Sequence, residues 1–426
     1  MKPKTAITTL GITLLLLLTW ICFQKQISAL ALLNNSQPHQ ESLSMKPSSV
    51  SSNLESQLVT ANTRFGFHLF SAILKQDSQK NVFVSPTSVA IALSMLYNGA
   101  SGETQQEMAK ALELQGMSLA DINSANLALR ESLENADAEV KLAIANSLWA
   151  REGFAFKDSF LARNRQFYDA QISSLDFANP EAKNVINSWV KEKTVGKIEK
   201  IIDNISPADV MFLINAIYFK GNWTDQFDKK LTREQPFFLR DGKAKKYPSM
   251  SRQGKYRYWE NEQFQAISMP YGKERLSMYI FLPRQESSLT DFLTQLTPEN
   301  WDKWLAQFSK REGFIQIPRF KLEYEIKLNQ ALAAVGMGGI FEASQANFAQ
   351  MTANPVVVDE VKHKTFVEVN EEGTEAAAVT SIGIRATAIM PMEEPFTMIV
   401  DRPFFCAIRD NQTGTVLFMG TIFEPN

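Results

Sequence analysis

The order of patterns along this chain constrains its fold more than any single motif does: helical periodicities come first and strand-like runs come later. Over residues 58–74, Phe65, Leu69, Ala72 and Ile73 recur at helical spacing. Ser85 and Pro86 read as a helix start ahead of Val89, Ala92, Leu93 and Leu96, with Asn98 and Gly99 as the stop. Helical patterns continue through the next hundred residues. Strand-like runs then dominate, at 211–219, 266–269, 276–283, 313–317, 356–369 and 415–422. Helices followed by strands predict an α+β body rather than alternating βαβ units. No internal repeat of fixed period is visible.

A second feature is the stretch 371–389, whose composition is that of a loop but whose side chains alternate as in a strand. Every second residue from Thr374 gives Thr374, Ala376, Ala378, Thr380, Ile382 and Ile384, a face of small or apolar side chains. Glu375 and Arg385 both fall on the other face, which leaves the first free to enter a core. Gly373, just ahead, supplies a backbone position that can swing through unusual dihedrals. The same alternation also describes an ordinary half-buried strand.

The run Val-Asn-Glu-Glu-Gly-Thr-Glu-Ala-Ala-Ala at 369–378 resembles the hinge of the reactive-centre loop of inhibitory serpins. Asn-Val-Phe-Val-Ser-Pro-Thr-Ser from Asn81, Asn-Ala-Ile-Tyr-Phe-Lys-Gly-Asn-Trp from Asn215 and Asp-Arg-Pro-Phe from Asp401 match further family motifs in the family's order. The resemblance spans residues 57–426. It implies the serpin fold, with a large central, mostly antiparallel sheet, additional sheets, helices and an exposed loop at about 371–395. It also implies the activity: a serine protease cleaves the loop, and the loop then inserts into the sheet while the protease is held as an acyl-enzyme. The alternative is a non-inhibitory relative acting as a binding or carrier protein.

By the same resemblance, Glu371, Glu372, Gly373, Thr374, Glu375, Ala376, Ala377 and Ala378 form the hinge. Ser85, Ser88, Asn215 and His363 match the shutter under the sheet, and Trp223 matches the place where the hinge first enters. Counted from Glu371 by the family spacing, the scissile bond is Thr387-Ala388, which suits an elastase-like protease. Arg385-Ala386 is the rival and suits a trypsin-like pocket.

Enzymatic motifs are missing. There is no Gly-x-Ser-x-Gly elbow, His-Glu-x-x-His or Walker loop, and His39, His68 and His363 are too dispersed to suggest a metal or triad site. The expectation is a protein that is not an enzyme and carries no metal or cofactor. A net charge of −2 offers no broad attraction to nucleic acid, and the short cluster Lys243, Lys245 and Lys246 reads as a solvated turn. The expected partner is the target protease in a covalent acyl complex, with the inhibitor itself a monomer.

Lys2 and Lys4, the uncharged run 6–23 and Ala29-Leu30-Ala31 read as a signal peptide over 1–31, or as a retained membrane anchor. Residues 32–56 read as a flexible polar linker. An extracellular or periplasmic protein is expected, and the disulfide-free design fits a bacterial envelope. Of the two cysteines, Cys22 lies in the leader, so Cys406 is left alone as a buried, inert thiol.

Overall fold

The computed structural model describes residues 49–373 and 394–425. The first helix, α1 (Ser49–Gln76), begins earlier than the periodicity around Phe65 indicates, so residues 49–56 of the stretch read as a linker are helical. The three-residue strand β1 (Val82–Val84) leads into α2 (Pro86–Tyr97). This helix has Pro at its first turn and Ser85 as N-cap, whose hydroxyl accepts from the Ser88 N–H. Every residue of α2 is buried, as suits a helix that is apolar nearly all round.

The region read as uniformly helical is not. Helices α3 (Gly102–Ala111), α4 (Leu119–Glu134), α5 (Asp158–Tyr168) and α6 (Ala182–Lys193) form, but strands β2 (Val140–Arg151) and β3 (Gln171–Leu175) are interleaved with them. The alanine and leucine content of β2 favours a helix locally, and pairing on both its edges overrides that preference.

The remaining strands are β4 (Met211–Gly221), β5 (Arg233–Phe238), β6 (Ala244–Glu260), β7 (Phe264–Tyr271), β8 (Leu276–Pro283), β9 (Ser309–Pro318), β10 (Phe320–Lys327), β11 (Glu360–Val369), β12 (Phe396–Ile399), β13 (Phe404–Asp410) and β14 (Val416–Ile422). Two short helices, α7 (Leu289–Gln295) and α8 (Pro298–Leu305), lie between β8 and β9. A nine-stranded sheet runs β1-β14-β13-β8-β7-β6-β9-β12, with β5 on β6, and only β9–β12 is parallel. A five-stranded sheet runs β10-β11-β4-β2-β3. In it β10–β11 and β2–β4 are antiparallel, while β4–β11 and β2–β3 are parallel.

The five-stranded sheet separates two cores. Leu213, Ile217 and Phe219 of β4 join the main core on the α2 side, whereas Phe212, Ile214, Ala216 and Tyr218 pack with Ile186 and Val190 of α6. This is the period of two expected of a strand buried on both faces. Cys406 lies fully buried in β13, and burial pushes its thiol well above the usual range.

Candidate functional site

The parallel β4–β11 ladder, from Phe212↔Glu360 to Tyr218↔Phe366, is a seam between two halves of the five-stranded sheet. At its centre Asn215 stands opposite His363. Their side chains meet the start of α2 on one face of the sheet. The Ser85 N–H donates to His363 Nε2 at 3.0 Å, so the ring proton sits on Nδ1, 2.5 Å from Asn215 Oδ1. The Asn215 amide donates to Ser88 Oγ at 2.6 Å, to the Ser88 carbonyl at 3.1 Å and to Asn146 Oδ1 at 2.6 Å.

Ser85, Ser88 and His363 are fully buried, and Asn215 nearly so. Burial pushes His363 from 6.5 down to about 3, with the contact to Asn215 opposing it in part. The ring is therefore neutral at physiological pH. The four residues singled out in the sequence thus come together, and Asn146 of β2 joins them. Asn146 was missed because its segment reads as helix, and only the β2–β4 register places it opposite Asn215. Directional polar contacts across a seam hold it in register while leaving it separable, which interdigitated apolar packing does not.

At the upper end of the seam lie Glu371, Glu372 and Gly373, the described part of the expected hinge. After β11, Asn370 and Gly373 exchange backbone hydrogen bonds at 2.9 and 3.2 Å, turning the chain back on itself. Gly373 also bridges Asn222, one residue beyond β4, in antiparallel fashion. Its φ is +124°, and a Cβ there would strike the Gly221 carbonyl oxygen and the Trp223 nitrogen. Only glycine fits.

Both carboxylates of the turn are anchored by side chains from the body of the protein. Glu371, 2% exposed, accepts from Arg319, whose Nε lies at 2.7 Å, and from the Thr232 hydroxyl. Burial pushes its pKa up, but those hydrogen bonds outweigh it and hold the carboxyl below the usual range. Glu372 pairs with Lys229. The carbonyls of Glu371 and Glu372 accept from the Phe227 and Trp223 N–H at 2.8 and 2.9 Å. Arg319, Thr232 and Lys229 carry no sequence signal of this role.

Trp223 is buried at the same end. Its indole N–H donates to the Asn370 carbonyl at 2.9 Å and its ring stacks on Tyr271 with centroids 4.3 Å apart. Thr374, Glu375, Ala376, Ala377 and Ala378, and both candidate bonds, Thr387-Ala388 and Arg385-Ala386, lie outside the described residues. So do the expected leader and residues 32–48. His68 is well exposed, with Glu113 at 3.8 Å, and among the described residues no cluster of three or more metal-ligating side chains occurs.

Residues 60–425 match the family model described as Serpin (serine protease inhibitor). The chain is a serpin. It is 36% identical over 385 residues to the human leukocyte elastase inhibitor, covering 87% of this serpin and all of the relative. Human serpin B8 is also 36% identical, over 86% of this chain and 99% of its own. Among solved structures, the native thermophilic serpin tengpin superposes with a TM-score of 0.79 at 34% identity, over 86% of this chain and 94% of its own. Human thyroxine-binding globulin, in the complex described as with thyroine, superposes with a TM-score of 0.80 at 26% identity, over 88% of this chain and 100% of its own. The α+β serpin fold read from the sequence is the fold of this serpin.

Proposed function

We propose that this serpin inhibits serine endopeptidases as a suicide substrate. The observation that carries the reading is the parallel β4–β11 seam with the chain reversed at its upper end. A strand that follows Gly373 in the direction of the turn runs antiparallel to β11, and therefore also to β4. One inserted strand replaces a parallel pairing by two antiparallel ones, each with a ladder of its own.

The chemistry before insertion belongs to the protease. Its serine oxygen attacks the carbonyl carbon of Thr387, the peptide bond breaks, the amine of Ala388 leaves with a proton, and an ester joins inhibitor to enzyme. Arg385-Ala386 is the alternative bond. Insertion from Thr374 onward then gains roughly 1 kcal/mol per backbone hydrogen bond and roughly 1.5 to 3 kcal/mol for each of Ile382 and Ile384. A total on the order of 10 to 20 kcal/mol compares with a protease's whole stability, roughly 5 to 15 kcal/mol. Distortion of the trapped enzyme before water cleaves the ester is thus affordable.

We assign the hinge role to residues 371–378, the shutter role to Ser85, Ser88, Asn215 and His363, and the entry point to Trp223. An elastase-like target is favoured by Thr387-Ala388 and by the name of the 36% identical relatives. The small residues Ala376, Ala377 and Ala378 favour inhibition over a carrier role. Export through the N-terminal segment completes the reading, with a monomer as the acting species.

Incubation of the purified protein with pancreatic elastase and with trypsin tests this. A complex that survives denaturation is expected, with a released C-terminal peptide beginning at Ala388 or Ala386. Cleavage without a complex across a wider panel of proteases would favour the carrier reading. N-terminal sequencing of the protein recovered from its host tests export.

A further inference from the structure

Away from the seam, a cavity of about 710 Å³ opens on the nine-stranded sheet, within the size range of small-ligand sites. Its floor is set by strand register. Lys310 of β9 stands opposite Arg257 of β6, Arg257 opposite Ser268 of β7, and Ser268 opposite Tyr279 of β8. Residues paired this way share one face of a sheet. Two positions further along, on the same face, Arg409 of β13 stands opposite Ser277.

Three features of this floor are unexplained by the fold. Lys310 and Arg257 are like charges directly opposed, an arrangement that ordinarily destabilises a strand pair. Neither forms an ion pair with a carboxylate among the described residues; Arg257 reaches only the Phe308 carbonyl, at 3.5 Å. On the far side, the Arg409 Nε–H is buried with no hydrogen-bond acceptor. Between them Ser268, 4% exposed, has no side-chain partner among the described residues. The other serine is committed, since the Ser277 hydroxyl accepts from Asn411, which in turn accepts from the Tyr279 hydroxyl.

We propose that this cavity binds a compact phosphate or sulfate ester. The lining holds five cationic side chains against two carboxylates, Asp225 and Glu274. Lys255 pairs with Glu312, and Arg252 is held by Asp225, which leaves Arg257 and Lys310 for a ligand, with Arg409 at the margin, where its Nη1 donates to Asn411 Oδ1 at 3.4 Å. Leu305 and Ala306 at the C-terminal end of α8 also line the cavity, and the partial negative charge of one short helix end is too small to neutralise the cationic side chains there. Arg257 and Arg409 lie three strand spacings apart and two residues offset along the strands, about 16 Å, and both line the cavity. Three terminal oxygens on one phosphorus or sulfur can accept from Arg257, Lys310 and Ser268 together, in a tetrahedral spread wider than a planar carboxylate offers.

Isothermal titration of pyrophosphate, inorganic phosphate and sulfate into the intact protein, against sodium chloride at matched ionic strength, tests the site. Saturable one-to-one binding is expected. It should weaken about ten- to a hundredfold in the double variant Arg257→Gln, Lys310→Gln and stay unchanged in Lys243→Gln. Both substituted side chains are exposed, and thermal melts in chloride alone verify folding; if the double variant melts early, Arg409→Gln provides the same comparison. Absence of saturable binding by the wild-type protein, or equal affinity in wild type and a folded variant, overturns the proposal.

Discussion

His363 and Asn215 face each other across the parallel β4–β11 seam, and the imidazole Nδ1–H donates to the asparagine oxygen at 2.5 Å. The same ring accepts from the Ser85 backbone. One side chain thus ties both lips of the seam to the helix beneath it, and any strand entering the seam must separate this pair.

His363→Ala leaves the Ser85 N–H and the Asn215 oxygen unpaired in a fully buried site. The native protein should lose about 2–4 kcal/mol, read as a lowered melting temperature. After loop cleavage and insertion the pair is already parted, so the cleaved protein should lose markedly less. Equal losses in the two forms would contradict the assigned seam.

The pH dependence follows from the lowered value of about 3 for His363. The unfolded chain, with an ordinary histidine near 6.5, takes up the proton first as pH falls. The contribution of this group is therefore complete above pH 6.5 and is lost progressively from 6.5 towards 3. Between pH 7 and pH 5 it amounts to about 2 kcal/mol. The difference in denaturant midpoint between wild type and His363→Gln should narrow over that interval.

Gly373→Ala forces a side chain against the Gly221 carbonyl at a φ that L residues avoid. A cost of about 1–3 kcal/mol is expected, together with loss of the bridge to Asn222. Faster hydrogen exchange at the Trp223 amide, whose acceptor is the Glu372 carbonyl, reports the displaced turn.

Thr374→Arg places a charge on the face that insertion would bury. Cleavage by elastase should continue at its usual rate while the denaturation-resistant complex falls away, turning inhibitor into substrate. A normal yield of complex would falsify the insertion mechanism.

Much of the fold was legible where local pattern and tertiary demand agree. The start of α2 at Ser85 and Pro86 and the whole of β8 were readable, whereas β10, Phe320 to Lys327, was not read as a strand although it alternates strictly between buried and exposed positions. The sequence reading failed at β2, where local preference and pairing conflict. In the site, the family motifs located Ser85, Ser88, Asn215 and His363, but Asn146 acquires its partner only through register. The anchors Arg319 and Thr232 reach Glu371 from distant strands and loops, and nothing near them in the chain announces it.

The parallel pairing of β4 with β11 also sets an arithmetic. Among the described strands it is the seam beside the emerging chain, and it has room in its topology for a single added strand. Under the proposed mechanism a strand that takes that place is spent there, so one copy would disarm at most one protease, and the protection available to a cell would be counted in molecules made rather than in turnovers per second.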